Sequence, residues 1–563
     1  GTYLVPYSRM KAFDIREVIC DEKTGEPRRL PRGTFVYRLN GRDRQKSASY
    51  YTPEVLTRST IKYTIKAIVD EVRDGKRKPM DLLDLKILEP AVGAAAFLNE
   101  VINQLAEAYM TYVDKKPVPD RYRDELQKVK AYIATHNVYG VDLNPTAIEL
   151  GKLSLWLNVI HKDMETPFFA NRLTVGNAVI GAWLKVYVRG EVQAKKGSRK
   201  LEANEWWTKA PHKVKFGRTR VNRSVNEVYH FLLPDKAMLA ALGLKNMKKE
   251  HATEAKVMAD RLKDWTAPIG EDQFRTLQRL SAKIDLLLRE AMETQVNIEH
   301  LTNNRRDIWP HEIPQDNMLF RTYDQAEKYA EKERIFDTRY RHDNAYYKLK
   351  LVMDYWCALW FWEYQDAAAL PTREEYWREI ENLLDVSNDK LDRNTQRTMV
   401  GANMVCEEPE FEYGSKRMTE EQAQIVAKSK KEMLESTTSQ TTLFADEEPE
   451  RFKIAKRLAG RYHFFHPMLE FIEVFWLRDG FDIICGNPPW LKLQFDDKAV
   501  LSERYPEVLI HKVSAPDARA MQTRFMEDES MRHIYEDEQM EVQCSSVFMN
   551  AFANYPLLIG QQT

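Results

Sequence analysis

The sequence predicts an α/β protein built around a parallel sheet. Short apolar segments at 83–88, 138–143 and 173–175 have the length of buried strands, and a helical pattern follows each of the first two. Strands that alternate with helices are typical of parallel sheets, whose ligands lie beyond the carboxyl ends of the strands. A fourth strand of the same kind, at 481–486, appears only much later in the chain. We therefore expect a large insertion within a sheet domain.

The composition is that of a folded protein with balanced charge. Hydrophobic residues make up 43% of the chain and aromatic residues 11%, enough to fill packed cores, and the formal net charge is -1. The five cysteines form no CxxC pair, which argues against a disulfide scaffold and against a structural zinc site. We see neither a signal peptide nor an apolar run of the ~20 residues that a membrane-spanning helix needs. We expect a soluble cytoplasmic protein without a membrane or metal partner.

Residues 1–80 form an N-terminal segment that becomes helical after Tyr51, Thr52 and Pro53. Thr52 is the predicted N-cap and Pro53 the first helical residue, because these residue types favour those positions. The apolar stripe behind this cap consists of Val55, Leu56, Ile61, Ile65 and Ile68.

Residues 81–184 carry the first three strands, and each strand ends at a residue suited to a ligand. Glu89 follows the first strand at the start of a turn of small residues, 90–95, where it is placed to attract an ammonium or sulfonium group. Asp142 follows the second strand, where an acid suits the two hydroxyls of a ribose. Asn177 follows the third strand and can hydrogen-bond the edge of an adenine. Singly, such residues are more often surface acids, turns or caps, but their order at successive strand ends favours a nucleoside site.

Residues 185–460 lose this alternation and are predicted to be a mainly helical insertion. Two apolar stripes at helical spacing, within 274–291 and 346–360, are more typical of core than of a cofactor-binding surface. The polar segment 414–450 is predicted to be a mobile loop.

Within that insertion, the stretch 193–223 carries ten Lys or Arg residues against two Glu. Such a stretch can follow a phosphate backbone, with Trp206, Trp207 and Phe216 as stacking faces. The alternative is a solvated loop with a few aromatic side chains packed beneath it.

The strongest chemical signal is Asn487-Pro488-Pro489-Trp490, which follows the fourth strand within the segment 461–563. An exocyclic amine on an aromatic base is a poor nucleophile because its lone pair is delocalised into the ring. The Asn487 carboxamide oxygen and the Pro488 carbonyl can accept that amine's hydrogen bonds and offset the positive charge that develops during attack. Pro489 stiffens the backbone, and Trp490 offers a face on which a flipped base stacks. A proline-stiffened strand exit with a buried Trp is the structural alternative.

Taken together, these segments resemble the conserved motifs of S-adenosylmethionine-dependent adenine-N6 DNA methyltransferases of the gamma order. They are similar above all to the large enzymes of type I and type IIG restriction-modification and of the BREX and DISARM phage-defence systems. Residues 153–157 and 225–235 favour the DISARM and BREX type, and 466–475 resembles the family's segment leading into the catalytic strand. Asn487, rather than Asp or Ser, favours adenine over cytosine-N4 as the target.

The resemblance implies a Rossmann-like class I methyltransferase sheet with S-adenosyl-L-methionine as cofactor. It also implies double-stranded DNA with a flipped adenine as substrate, other defence-system subunits as partners, and no metal. The implied catalytic residues are Asn487, Pro488, Pro489 and Trp490. The implied cofactor contacts are Tyr51, Thr52, Pro53, Glu89, Pro90, Ala91, Gly93, Phe97, Asp142, Leu143, Asn177 and Asn487.

The sequence departs from the family pattern at several places. Ala94-Ala95 stands where the family has Ser-Gly, which predicts a bulkier loop beside the cofactor, Val92 replaces a Cys, and Asn177 replaces a commoner Asp. The family's sheet has seven strands, yet nothing after Trp490 supplies the last three or a target-recognition domain. We expect an incomplete sheet and a chain that is part of a longer protein.

The expected function is site-specific DNA adenine-N6 methylation, as the modification component of a restriction-modification or phage-defence system. A non-catalytic cofactor-sensing or DNA-holding subunit of a defence assembly is a second hypothesis, supported by Ala95 and the missing strands. A protein glutamine methyltransferase is a third, because release-factor methyltransferases share an Asn-Pro-Pro-aromatic motif. Those enzymes are compact, so the long insertion and the basic stretch argue against it.

Overall fold

A parallel sheet of four short strands lies at the centre of the computed structural model. The structure describes residues 3–35, 52–162, 164, 166–196, 201–202, 204–217, 220–302, 308–310, 325–386, 448–488, 494–502, 504–511 and 513–559. Its strands in chain order are β1 (Ile87–Glu89), β2 (Val138–Asp142), β3 (Leu173–Val175), β4 (Lys185–Val188), β5 (Lys195–Lys196), β6 (Leu201–Glu202), β7 (His212–Lys213), β8 (Lys215–Phe216), β9 (Val221–Asn222), β10 (Glu227–Tyr229) and β11 (Ile483–Ile484). The central sheet has the order β11-β1-β2-β3, with every neighbouring pair parallel. The predicted parallel α/β sheet is therefore present.

Helices make up most of the remaining structure. They are α1 (Glu54–Arg73), α2 (Ala96–Tyr112), α3 (Pro119–His136), α4 (Pro145–Val159), α5 (Arg189–Val192), α6 (Lys245–Glu250), α7 (Ala252–Trp265), α8 (Glu271–Thr302), α9 (Gln325–Asp337), α10 (Ala345–Ala358), α11 (Arg373–Leu383), α12 (Glu450–Tyr462), α13 (Pro467–Glu470), α14 (Ile472–Arg478), α15 (Asp497–Ser502), α16 (Glu507–Ile510), α17 (Ala515–Glu527) and α18 (Glu529–Met549). Short 3-10 helices occupy Tyr7–Ala12, Ile15–Glu17, Pro79–Leu83, Trp206–Thr208, His230–Leu232, Ala240–Gly243, Thr338–Tyr340, Tyr364–Ala369 and Pro556–Leu558. Within the described ranges, no helix combines the length and apolar character needed to cross a membrane.

The two faces of the central sheet pack against different sets of helices. Successive side chains of a strand point to opposite faces, so Ile87 and Val138 face one side while Leu88 and Tyr139 face the other. Ile87 and Val138 join the core beneath α1 to α4. Leu88 and Tyr139 join a larger core that contains helices α6 to α8, α10, α11 and α12 to α14. The sheet is thereby covered on both sides, as parallel sheets usually are.

The predicted apolar stripes of the later helices lie in that larger core. Phe274, Leu277, Leu280, Ile284, Leu287 and Ala291 of α8 are all buried, as are Tyr346, Leu349, Met353, Trp356 and Trp360 in and just after α10. A buried ion pair also ties α8 to the sheet, because Arg172 lies 2.9 Å from Glu299 and its guanidinium stacks over the Tyr139 ring. The predicted ends of the domains at 80, 184 and 460 stay predictions.

Several predicted elements differ in the structure. The first strand begins at Ile87 because Leu83 ends a 3-10 helix, and the fourth strand pairs over only two residues of the predicted 481–486. Thr52 is not an N-cap, since α1 begins at Glu54 with Pro53 as its N-cap. At the start of that helix Val55 and Leu56 are 78% and 56% exposed, whereas Ile61 and Ile65 are buried.

The basic stretch 193–223 is only partly described, and it includes the short antiparallel strands β5 to β9, which the helical prediction missed. Strands of two residues are too short to leave a periodic pattern in the sequence. Trp206 is 1% exposed and donates a hydrogen bond to the Pro234 carbonyl, while Phe216 stacks on Trp476. Arg223 is bound to Asp285 within the fold. Trp206 therefore serves the fold, as the alternative interpretation expected for the aromatic side chains, and Arg223 is bound within the fold as well. The predicted loop lies outside the described residues from 414 to 447, and Glu450 already begins α12.

Candidate functional site

The ends of the four parallel strands bring the predicted site residues to one edge of the sheet. In the ladder, Glu89 lies opposite Gly140, Asp142 opposite Val175, and Leu88 opposite Ile484. Glu89 and Asp142 are the last residues of β1 and β2, and Asn177 and Asn487 follow shortly after β3 and β11. The strand order therefore places the site elements in the spatial sequence 487, 89, 142, 177.

Glu89 is a buried carboxylate with one oxygen atom unsatisfied. The side chain is 2% exposed, and it accepts a hydrogen bond from the backbone N–H of Leu98 in the first turn of α2. Its Oε2 atom has no hydrogen-bond partner among the described residues. Burial, and then the charge of Asp142, raise the pKa of Glu89 well above its usual value. A cation bound at this carboxylate would stabilise its charged form and so lower the pKa again.

Asp142 connects the turns that follow β1 and β2. Its Oδ2 atom accepts the backbone N–H of Gly93 at 2.8 Å, and its Oδ1 atom accepts the N–H of Asn144 at 2.8 Å. The side chain is half-buried, so it is held in one orientation and still borders solvent. Each carboxylate oxygen can accept more than one hydrogen bond, so the group keeps acceptor capacity for hydroxyls.

The turn after β1 contains Ala95, which stands where the family pattern has glycine. Ala95 has a left-handed backbone (φ 62°), which costs a residue with a side chain about 1–2 kcal/mol relative to glycine. Its methyl group is fully buried and faces α4, since a Cβ placed on Gly151 would lie 3.7 Å from the Ala95 Cβ. The methyl group of Ala95 thus lies on the core side of the loop, where glycine at 151 leaves room for it. The expectation that Ala94-Ala95 makes the loop bulkier beside a cofactor stays a prediction.

The segment after β11 contacts both Glu89 and Thr52, which lies two residues before the start of α1. A Cβ placed on Gly486 would lie 3.4 Å from Cγ of Glu89, so the backbone passes directly over that carboxylate. The Nδ2 atom of Asn487 donates to Oγ1 of Thr52 at 3.3 Å. Asn487 and Pro488 are exposed, and Thr52 is half-buried. Tyr51, Pro489 and Trp490, which were predicted to belong to the site, lie outside the described residues.

Asn177 is held by the segment that precedes β11. Its backbone N–H donates to the His463 carbonyl at 2.7 Å, and its side-chain Oδ1 accepts the N–H of Val179 at 3.1 Å. The N–H of Gly176 donates to the backbone carbonyl of Asp142 at 2.9 Å. The position of Asn177 is thus fixed from both sides.

Sequence reasoning missed the buried pair that supports this segment. The backbone N–H of Ala182 donates to Nδ1 of His466 at 2.9 Å, so Nε2 carries the proton toward Oδ1 of Asp354, also at 2.9 Å. Burial lowers the pKa of His466, although the nearby Asp354 opposes that effect. His466 starts the segment 466–475 that the family pattern singled out, but only the fold reveals its partner on α10.

The other predicted cofactor residues occupy different environments. Phe97 is 4% exposed and belongs to the core beneath α1 to α4, so its ring supports α2 from the inside. Pro90, Ala91 and Gly93 are half-buried, Leu143 is 38% exposed, and Pro53 is exposed. Nowhere in the described part of the chain do three or more His, Cys, Asp or Glu side chains cluster as metal ligands.

Comparison with known proteins assigns the chain to a family. The family model described as Eco57I restriction-modification methylase matches residues 136–515, about two thirds of the chain. That range contains Asp142, Asn177 and Asn487, whereas Thr52 and Glu89 precede it. A protein of Methanocaldococcus jannaschii, whose name describes a type II restriction enzyme and methyltransferase, is 30% identical over 179 residues. The match covers 24% of this chain and 15% of the relative's length. No solved structure matches the chain at a significant level. The chain belongs to the Eco57I restriction-modification methylase family.

Proposed function

We propose that this protein is an S-adenosylmethionine-dependent DNA methyltransferase that modifies the N6 atom of adenine. The observation that carries the proposal is a set of three contacts at one edge of the sheet: Asn487 with Thr52, Gly486 with Glu89, and Asp142 with Gly93 in the turn that follows Glu89. They bring together Glu89, which is suited to bind a cation, Asp142, which is suited to bind a ribose, and Asn487, which is suited to bind an amine. All three lie where strands of the central sheet end.

The residues around Glu89 fit a cofactor that carries positive charge. S-Adenosylmethionine supplies an activated methyl group on a sulfonium centre when bound, together with an ammonium group. The unsatisfied Oε2 atom of Glu89 is suited to pair with a cation, and the fixed carboxylate of Asp142 is suited to accept the two ribose hydroxyls. The turn of Gly93 leaves open space where a side chain would otherwise project. Asn177 is the residue that we assign to the adenine edge.

Asn487 and Pro488 are the residues that we assign to the substrate amine. Their carbonyl oxygens would accept the hydrogen bonds of the adenine N6 amine and offset the charge that develops on it. Both residues are exposed at the end of the sheet, where a base rotated out of a DNA duplex can reach them. Direct transfer needs no covalent intermediate on the protein, so the contribution of the chain is positioning and electrostatics.

We further propose that the protein is the modification component of a restriction-modification or phage-defence system. The family assignment supports the first, and the resemblance of 153–157 and 225–235 to DISARM and BREX methylases supports the second. The chain spans about 15% of the length of the curated relative that it matches. That the protein recognises a specific DNA sequence and works with further subunits is therefore also a proposal.

The direct test is transfer of a labelled methyl group to three acceptors under the same conditions. The acceptors are duplex DNA of mixed sequence, the same DNA with N6-methyladenine in place of every adenine, and a release-factor protein. We expect label only in the first, recovered as N6-methyladenine after digestion. Label in the protein would favour a glutamine methyltransferase, and cofactor binding without any methylated product would favour a non-catalytic subunit.

A further inference from the structure

The hydrogen bond between Asn487 and Thr52 joins residues 435 positions apart in the chain. Thr52 lies just before α1, and Asn487 lies just after β11. From this bond we infer that Thr52 is a positioning residue, which holds the Asn487 carboxamide with its oxygen turned toward the substrate amine. The inference rests on the proposed function and adds a task for Thr52 beyond any contact with the cofactor.

The chemistry of a carboxamide explains why a positioning residue is needed. One end of the group is an oxygen that accepts hydrogen bonds, and the other is an NH2 group that donates them. Rotation of the terminal side-chain torsion by about 180° exchanges the two ends at little intrinsic cost. An adenine amine presents N–H donors, so only the oxygen end can assist its attack. In the structure Thr52 Oγ1 accepts from the NH2 end of Asn487, which leaves the oxygen end for the substrate amine.

The backbones on both sides of this hydrogen bond are restrained. Thr52 and Asn487 each precede a proline, which confines the preceding residue to extended conformations. The Pro53 carbonyl accepts the N–H groups of Leu56 and Thr57 at 2.9 and 3.2 Å, so Thr52 is attached directly to the first turn of α1. That helix has 20 residues and is anchored in the core by buried Ile61 and Ile65. Thr52 is therefore a fixed acceptor.

On the Asn487 side, the preceding Gly486 passes over Glu89 at the contact distance given above. With the backbone restrained on both sides of the residue, the principal freedom left to Asn487 is rotation of its side chain. The Thr52 hydroxyl restricts that rotation. The same bond also links Thr52 and Pro53, on the cofactor side of the site, to the segment of Asn487 and Pro488.

The experiment compares Thr52→Val, which keeps the shape of the side chain but removes the hydroxyl, with Thr52→Ser, which keeps the hydroxyl. Thr64→Val is the matched control, because Thr64 lies on the exposed side of the same helix and its hydroxyl donates to the Thr60 carbonyl one turn earlier. The turnover number is measured at saturating cofactor and DNA, and the Kd for S-adenosylmethionine is measured separately by calorimetry.

We expect Thr52→Val to lower kcat about tenfold, the effect of losing one hydrogen bond of ordinary strength, while the Kd for the cofactor changes by less than about threefold. Thr64→Val should retain the kcat of the parent protein, and Thr52→Ser, which keeps the hydroxyl, should recover most of the kcat that Thr52→Val loses. Thr52→Val should have no further effect when Asn487 is already Ala, since the two residues act as one unit. Thr52→Ala provides the same comparison if the valine variant fails to fold.

Normal kcat in Thr52→Val, with only weaker cofactor binding, would overturn the inference and leave Thr52 as a cofactor contact. An additive loss on top of Asn487→Ala would overturn it as well. Absence of methyl transfer to DNA by the parent protein would instead refute the proposed function, so the two failures are distinguishable.

Discussion

The backbone N–H of Gly93 donates to Oδ2 of Asp142 at 2.8 Å, which couples the turn after the first strand to the end of the second. The other oxygen of the same carboxylate accepts the N–H of Asn144, the N-cap residue of α4. One side chain thus fixes two turns that border the site. The carboxylate of Asp142 therefore has a role in the fold in addition to any role in ligand binding.

This double role leads to a prediction for Asp142→Asn. A carboxamide offers one acceptor oxygen, so its NH2 group would face one of the two backbone N–H donors. We expect the free energy of unfolding to fall by about 1–3 kcal/mol and the Kd for S-adenosylmethionine to rise tenfold or more. Chemical unfolding and calorimetry measure the two effects. Asp124→Asn, on the exposed surface of α3, is the control, and unchanged cofactor affinity in Asp142→Asn would contradict the assignment.

Glu89 predicts a stability that depends on pH. Burial raises the pKa of Glu89 above its value in the unfolded chain, so between those two values the folded state holds the proton more tightly. Its contribution to the free energy of unfolding is fully present below the unfolded pKa and is lost as the pH rises through the folded pKa. Glu89→Gln stays neutral throughout. We therefore expect the stability of the parent protein, relative to this variant, to fall as the pH is raised from about 5 to about 8.

Urea unfolding of both proteins across that pH range, without cofactor, gives the comparison. Using the difference between them removes the contributions of other buried acids, such as Glu473, whose pKa is raised to about 8 mainly by burial. The same substitution should abolish measurable binding of S-adenosylmethionine, because the neutral side chain no longer offers a charge to the cofactor. A stability difference that does not vary with pH would show that Glu89 is ionised and compensated in the folded protein.

Gly181→Ala tests how closely the segment after Asn177 packs against the segment of Phe465, which precedes β11. A Cβ at this position would lie 1.5 Å from the Phe465 carbonyl oxygen, and backbone atoms cannot move aside at low cost. We expect a loss of about 3 kcal/mol or more in the free energy of unfolding, together with weaker cofactor binding. Gly190→Ala is the matched control, because nothing lies within 4 Å of its added Cβ. Equal stability of the two variants would contradict this packing.

The sequence predicted those parts of the fold whose signal is local. The third strand was predicted at 173–175 and is formed there, and the stripe of α8 is buried as expected, because periodicity reports which face of an element is apolar. The strand ends also followed from local patterns, since a parallel sheet gathers its carboxyl ends at one edge. The sequence alone therefore predicts that Glu89 and Asp142 lie near each other.

The parts that the sequence did not reveal depend on contacts between distant segments. Thr52 has the residue type of an N-cap, yet its hydroxyl bonds Asn487 and the helix begins two residues later. Trp206 lies in a basic stretch that suggested nucleic acid, yet the fold buries its ring. His466 meets Asp354 from a different helix, and no spacing within either segment encodes that pairing.

Single-turnover methyl transfer by Asn487→Ala tests most directly whether this strand-end site performs the chemistry. The variant and the parent protein are mixed with labelled S-adenosylmethionine and adenine-containing duplex DNA, after calorimetry has established that both bind the cofactor. We predict that the rate of N6-methyladenine formation falls by about two orders of magnitude or more, the effect of losing one aligned transition-state acceptor, while cofactor binding persists. A rate close to that of the parent protein would contradict the assignment of this site.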